Sequence, residues 1–164
     1  ALIIGGQAVS ASMGLSMANM VDPSMGNVPV IAQFFVICST LIFLGLGGHV
    51  LVISLLLESF ELLPINSALD LQGLLKLTVE WSAMMFVGAI LIGLPLMASL
   101  LFINIGLGVI TRTAPALNIF AVGFPAMILA GIVLLSLSMT SIGYRIQWLW
   151  QESFEIIGQA LGIR

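Results

Sequence analysis

Charged residues are scarce in this sequence. Of its 164 residues, four are lysine or arginine and seven are aspartate or glutamate, together 7% of the chain. An ordinary soluble domain carries about 25% charged residues. So few ionic side chains cannot cover the outside of a soluble domain of this length. The net charge of −3 also leaves no basic patch, which argues against nucleic acid as a partner.

Cysteine and histidine are scarcer still, with one residue each, Cys38 and His49. A single cysteine excludes an intrachain disulfide and any CxxC site, so we interpret Cys38 as a buried thiol. The sequence contains no HExxH and no GxSxG motif, so we predict no catalytic site, metal site or cofactor. His49 lies in an apolar stretch, where a hydrogen bond between packed helices or a proton-transfer or gating role would explain it.

What the sequence has in abundance is long apolar runs. Hydrophobic residues make up 60% of the chain, and no charged residue occurs in residues 81–111 or 113–144. Each run exceeds the ~20 residues that cross the hydrocarbon core of a bilayer as a helix. We therefore predict an all-α protein of the integral-membrane type. The first residues read as the middle of a helix, so we expect that a preceding N-terminal part is missing.

Four apolar segments and a tail follow one another along the chain. As a helix, the second segment would be about 48 Å long, well beyond a ~30 Å hydrocarbon core. It must tilt strongly, extend out of the membrane or break at the glycines around Gly47. The third segment is also too long for one straight span, and Pro95 predicts either a kink or the end of a helix. The segments cover residues 1–18, 29–60, 70–110 and 119–144, and the tail covers 145–164.

Small residues recur every fourth position in the first segment, at Gly6, Ser10 and Gly14. This spacing places them on one helix face, where they favour close packing of helices. The tail shows a different pattern, with apolar residues at helical spacing opposite a polar face. It predicts an amphipathic helix with Trp148 and Trp150, suited to a membrane interface or a groove on a partner.

A methionine-rich connector, "MGLSMANMVDPSMGNVPV", joins the first two segments and holds four of the nine methionines. Its Asp-Pro and Gly-Asn pairs are typical of turns. The methionines could fill gaps at a packed helix end. Alternatively, because methionine is apolar and adaptable, they could form a deformable gate that closes a pore by dewetting.

The connector "TRTAPALN" joins the third and fourth segments, and Arg112 is its only charge. A lone arginine in a short turn indicates the cytoplasmic side of a membrane protein. It could equally be a docking contact for a cytoplasmic partner.

Three stretches in order, "GLSMANMVDPSMGNVPV", "GGHVLVISLLLESFELLPI" and "LGVITRTAPALNIFAVGFP", resemble the FliR family of flagellar type III export-gate proteins. The resemblance covers essentially the whole chain. Its most specific part is the Arg-x-x-Pro turn followed by Asn-x-Phe and Gly-Phe-Pro. The injectisome homologues, the SctT proteins, share the architecture. The Arg-Thr-Ala-Pro and Gly-Phe-Pro motifs favour the flagellar branch.

The resemblance implies a subunit of a helical assembly with FliP and FliQ in the bacterial inner membrane, with FlhB at the cytoplasmic side. Unfolded flagellar proteins would pass through its pore. Residues 1–69 would be the FliP-like part, 70–144 a hairpin that is FliQ-like in its distal part, and 145–164 the amphipathic helix. Arg112, Pro115 and Asn118 would form a partner-facing turn. The family's pore plug would correspond to Met17, Asn19, Met20, Val21, Asp22, Pro23, Ser24 and Met25.

Other classes of function remain as alternatives. A secondary transporter of a small solute would suit helices broken at Pro95 and Pro125, although paired intramembrane charges for ion coupling are absent from the sequence. An intramembrane enzyme would need a nucleophile and a base, which the motifs do not supply. A purely structural subunit would have a connector that packs and never moves.

Overall fold

The computed structural model describes residues 1–15, 29–62, 71–113 and 119–162, which are helical apart from short turns and ends and include no strand. The all-α prediction is confirmed. Helices α4 and α5 are long and apolar enough to cross a membrane. The bent pair α2 and α3 would also be long and apolar enough if the two helices formed one span. The five helices are α1 (Leu2–Ser12), α2 (Val30–Gly45), α3 (Gly48–Leu62), α4 (Leu71–Thr113) and α5 (Ile119–Ala160).

Helix α1 ends earlier than its sequence pattern predicts, because Gly14 turns the chain. Gly14 has a φ of +80°, in the left-handed region that glycine adopts without steric penalty. Its N–H donates a 3.0 Å hydrogen bond to the Ala11 carbonyl, and the Met13 N–H donates one to the Val9 carbonyl. These bonds satisfy carbonyls that the end of the helix leaves without partners.

The second apolar segment breaks into two helices. Gly47 has a φ of +72°, and α2 and α3 meet at an angle of 66°. Of the three solutions open to this over-long segment, the structure therefore shows the break at the glycines. We call residues 45–48 the elbow.

Helices α4 and α5, of 43 and 42 residues, are each about 65 Å long, roughly twice the thickness of a bilayer's hydrocarbon core. Pro95 lies inside α4 and does not end it. Proline has no N–H, so the Leu91 carbonyl loses its usual partner one turn away. The Ser99 hydroxyl donates a 2.8 Å hydrogen bond to the carbonyl of Pro95 itself.

The core forms where four of the helices meet. Helix α1 packs against α2 and α4, and α5 packs against α4 and α2. Helix α3 stands apart, and Gly48 is its only buried residue among those described. The buried hydrophobic cluster consists of Val9, Met13, Phe35, Ile92, Leu96, Leu100, Met127, Leu135, Ile142 and Ile146.

Apolar side chains also dominate the outside of the molecule. Its accessible surface is 11094 Å², whereas a compact soluble monomer of this mass exposes about 7,800 Å². Phe60 on α3, Phe102 on α4 and Leu137 on α5 are each about three-quarters exposed. Lipid or other protein must cover such a surface.

The tail predicted at residues 145–164 is not a separate helix, since α5 runs without interruption to Ala160. The first turns of this tail pack their apolar face against the core of the protein. Ile146 belongs to the core, and Leu149 and Trp150 pack against it. The amphipathic pattern at this point marks a surface against the chain's own helices, and Trp148 is the more exposed of the two tryptophans.

Candidate functional site

The candidate site is the methionine-rich connector between α1 and α2. The structure describes the chain up to Leu15 and again from Pro29, so all eight predicted plug residues lie outside the described residues. Their assignment stays a prediction. Those residues are Met17, Asn19, Met20, Val21, Asp22, Pro23, Ser24 and Met25.

Both ends of the connector are fixed in the core. At its start, Met13 is 1% exposed, and a Cβ on Gly131 of α5 would overlap the Met13 side chain. After it, Ala32 and Phe35 in the first turns of α2 are fully buried. Met13 is thus a packed core residue, although the sequence groups it with the loop methionines. The connector begins and ends on rigid elements that lie side by side.

A cavity of about 540 Å³ lies where these two ends meet α5. Its lining is apolar apart from the hydroxyls of Ser10 and Ser136. The space can receive apolar side chains and offers little to bind an ion or a polar solute. The residues that line it are Ser10, Met13, Leu15, Pro29, Val30, Ile31, Phe34, Ile128, Ile132, Leu135, Ser136 and Met139.

The predicted packing residues of α1 lie where two helices approach closely. Gly6 and Ser10 are buried, and a Cβ on Gly6 would overlap the backbone of Ala32 in α2. Gly14 has a different place, since it forms the turn after α1, and a Cβ there would lie 3.2 Å from the ring of Phe124. The small-residue face therefore holds α1 and α2 together beside the connector.

His49 is exposed in the first turn of α3. Within the described residues it ties no two helices of this chain together. The helix-packing role predicted for His49 stays a prediction.

The turn between α4 and α5 lies outside the described residues, which stop at Thr113 and resume at Ile119. Arg112 is exposed in the last turn of α4. A basic side chain at a helix C-terminus interacts favourably with the helix dipole. Pro115 and Asn118 lie outside the described residues, so the partner-facing turn stays a prediction.

The structure shows an aromatic cluster that sequence reasoning missed. The Trp150 indole nitrogen of α5 donates a 2.9 Å hydrogen bond to the Ser39 hydroxyl of α2. The Phe43 ring lies between this indole and the elbow, with its centroid 4.6 Å from that of Trp150. Ser39, in a largely apolar segment, was the available signal, because a hydroxyl that becomes buried needs a hydrogen-bond partner.

The described residues give little for chemistry. No group of three or more His, Cys, Asp or Glu side chains that could hold a metal ion occurs among them. Cys38 is half-buried rather than buried. What the described residues offer is two fixed ends of the connector, on closely packed helices beside an apolar cavity.

Comparison with known proteins identifies the family. The profile of the family described as bacterial export proteins, family 1, matches residues 1–153. The flagellar biosynthetic protein FliR of Escherichia coli K12 is 36% identical over 158 residues, covering 95% of this chain and 60% of that protein. FliR of Pectobacterium carotovorum is 35% identical over 157 residues, with the same shares covered. FliR of Bacillus subtilis 168 is 32% identical over 147 residues, covering 87% of this chain and 56% of that protein.

The chain thus spans about three-fifths of the length of these curated relatives. The resemblance to FliR drawn from its motifs is confirmed. The chain belongs to the bacterial export proteins, family 1.

Proposed function

We propose that this chain is a subunit of the flagellar type III protein export gate and that its methionine-rich connector closes the pore. Family membership and the FliR relatives support a place in the flagellar export apparatus. One observation supports the plug hypothesis most. Both ends of the connector are fixed in the core, at Met13 and at Ala32, beside an apolar cavity. A loop held at two neighbouring points can fold into a lumen and return to the same place.

The proposed mechanism is mechanical. Met17, Met20 and Met25 contribute flexible, apolar side chains that exclude water from the closed lumen. Val21 and Pro23 complete the apolar filling. Without a continuous file of water, ions and small solutes do not cross. An unfolded chain that enters the pore displaces these side chains, which adapt to it because they bind through no fixed hydrogen bonds.

The proposed partners come from the resemblance to the FliR family, and the uncovered apolar surface supports the presence of partners. Helix α3 and the outer faces of α4 and α5 expose large apolar side chains, which FliP, FliQ and membrane lipid would cover in the inner membrane. Arg112 at the end of α4 would face FlhB on the cytoplasmic side. The exported flagellar proteins would contact the connector only during passage. Nucleic acid has no place in this account, because the net charge is −3 with four basic residues.

Deleting residues 18–26 from the full-length protein tests the plug. The helices that flank the loop keep their packing through Gly6 and Met13, so the gate should still assemble. Its pore should leak ions, which can be measured as loss of membrane potential in cells that express the variant. An intact gate without added leak would contradict the plug.

Matched substitutions separate loop chemistry from loop length. Changing Met17, Met20 and Met25 together to leucine keeps the apolar filling, and we expect a tight membrane. Changing the same three residues to serine lets water enter, and we expect a leak close to that of the deletion. Equal leak from both triple variants would mean that apolar character does not close the pore.

A further inference from the structure

The direction of α3 depends on one short joint. Gly48 is the only residue of α3 that is buried within the described chain, and the contacts of α3 are concentrated on α2. The rest of α3 exposes large apolar side chains, among them Ile53, Leu57 and Phe60. Whatever holds the elbow therefore determines where this apolar helix lies.

The elbow's glycines do not fix an angle by themselves. A Cβ on Gly45 or on Gly47 would meet nothing within 4 Å. Glycine also adopts a wide range of backbone angles, including the positive φ of Gly47. The Gly47 N–H donates to the Leu44 carbonyl at 3.1 Å, which closes a short turn and leaves the angle between the helices to side-chain packing.

Phe43 fills the inside of the elbow. A Cβ on Gly48 would overlap the Phe43 ring and would lie 2.9 Å from the Phe43 carbonyl oxygen. The first turn of α3 therefore rests directly on this ring. A change in the ring's position requires a change in the position of α3.

Helix α5 holds the Phe43 ring in place. Trp150 lies 4.6 Å from it, centroid to centroid, and Phe154 lies 6.1 Å from it at an interplanar angle of 23°. Both separations are within the range of favourable aromatic pairs. The Trp150 indole is itself fixed by its 2.9 Å hydrogen bond to Ser39, which is 3% exposed. Residues 111 positions apart in the sequence are thus joined at the base of the elbow.

We propose that Ser39, Phe43, Trp150 and Phe154 form a lock that sets the angle between α2 and α3. These are positioning residues. Through them the distal part of α5, and not the glycine turn alone, determines where the apolar surface of α3 is presented. The inference does not depend on the function proposed for the connector.

Distances between spin labels can measure the elbow's angle. The full-length protein, purified with the subunits that accompany it, would carry Cys38→Ser and labelled cysteines at Leu57 of α3 and Leu137 of α5, both exposed. Leu57 lies about 14 Å along the helix from Gly48. A 20° change in the angle at the elbow would move Leu57 by about 5 Å. Pulsed electron paramagnetic resonance detects a change of that size in the distance between two spin labels. We expect one narrow distance distribution when the lock is intact.

Two substitutions disturb the lock in different ways. Phe43→Leu removes the ring but keeps an apolar side chain, and we expect the distance distribution to broaden. Gly48→Ala places a methyl group against the Phe43 ring, and we expect the distance to shift. Gly45→Ala is the matched control, because its Cβ would meet nothing within 4 Å, and it should leave the distance unchanged.

Further controls separate positioning from general stability. Phe35→Leu removes a fully buried ring from the core and should not move α3. A second label pair, at Phe102 of α4 and Leu137 of α5, should keep its distance in every variant. Ser39→Ala and Trp150→Phe each remove the same hydrogen bond, and we expect the same partial broadening from both.

Two results would overturn the lock. If Phe43→Leu and Gly48→Ala both left the Leu57–Leu137 distance unchanged, the glycine turn alone would set the angle. If the Phe102–Leu137 distance changed together with the Leu57–Leu137 distance, the cluster would act on the stability of the whole bundle and not on α3.

Discussion

A side chain on Gly6 of α1 would have to occupy the space of Ala32 in α2. A Cβ built on Gly6 would lie 2.8 Å from the backbone nitrogen of Ala32 and would overlap the Cα of Ala32. Backbone atoms cannot move aside as a flexible side chain can. The two helices on either side of the methionine-rich connector are therefore in direct contact, and this contact fixes the separation of the connector's ends.

Gly6→Ala should destabilise the protein, although alanine favours helices more than glycine does. Overpacking of a tight contact costs about 1–3 kcal/mol, which exceeds the gain of about 1 kcal/mol in helix propensity. Gly143→Ala is the control, because a Cβ there meets nothing within 4 Å. It should be neutral or stabilising. Thermal unfolding of the full-length protein in detergent measures both, and equal changes would contradict the close approach at Gly6.

Met13→Ala should lower the free energy of unfolding by about 2–5 kcal/mol, as expected for a truncated core side chain. Met13→Leu conserves volume and should cost less than about 1.5 kcal/mol. Met85 on α4 is 44% exposed, so Met85→Ala serves as the control and should have a small effect in detergent. Chemical denaturation provides the comparison. If Met13→Ala were as mild as Met85→Ala, Met13 would belong to the loop and not to the core.

Much of the helical architecture was predictable from the sequence. Charge-free runs and apolar length predict α4 and α5. For the over-long second segment, a break at the glycines around Gly47 was one of three predicted solutions. Proline chemistry left two outcomes for Pro95, and the structure shows a helix that continues through it. A local rule about one missing N–H cannot decide between them, because packing along the whole of α4 contributes to the outcome.

The surroundings of apolar faces were less predictable. Helical spacing placed Trp150 on an apolar face suited to a membrane interface or to a groove on a partner. The structure shows that α2 covers it, through Ser39 and Phe43. Likewise, composition grouped Met13 with the loop methionines, and only the packing against Gly131 assigns it to the core. Long-range contacts of this kind leave no periodic signal in the sequence.

Arg112→Glu should weaken binding to FlhB and reduce swimming, on the proposal that this exposed arginine faces FlhB. Reversal of the charge replaces attraction by repulsion and also opposes the dipole at the end of α4. Arg112→Lys keeps the charge and should retain most of the binding. Co-purification with FlhB and motility in soft agar are the measurements. Normal co-purification of the glutamate variant would remove Arg112 from the proposed interface.

The central claim is that the methionine-rich connector lies in the pore and moves when a protein passes. A disulfide crosslink tests it most directly, with Cys38→Ser as the background. Met20→Cys would be combined with a cysteine in the pore-lining loop of FliP, and the assembled gate would be oxidised. The account predicts a crosslink that forms readily and stops export, and that releases export again on reduction. An intact complex that forms no crosslink, or one that exports normally while crosslinked, would contradict a moving plug.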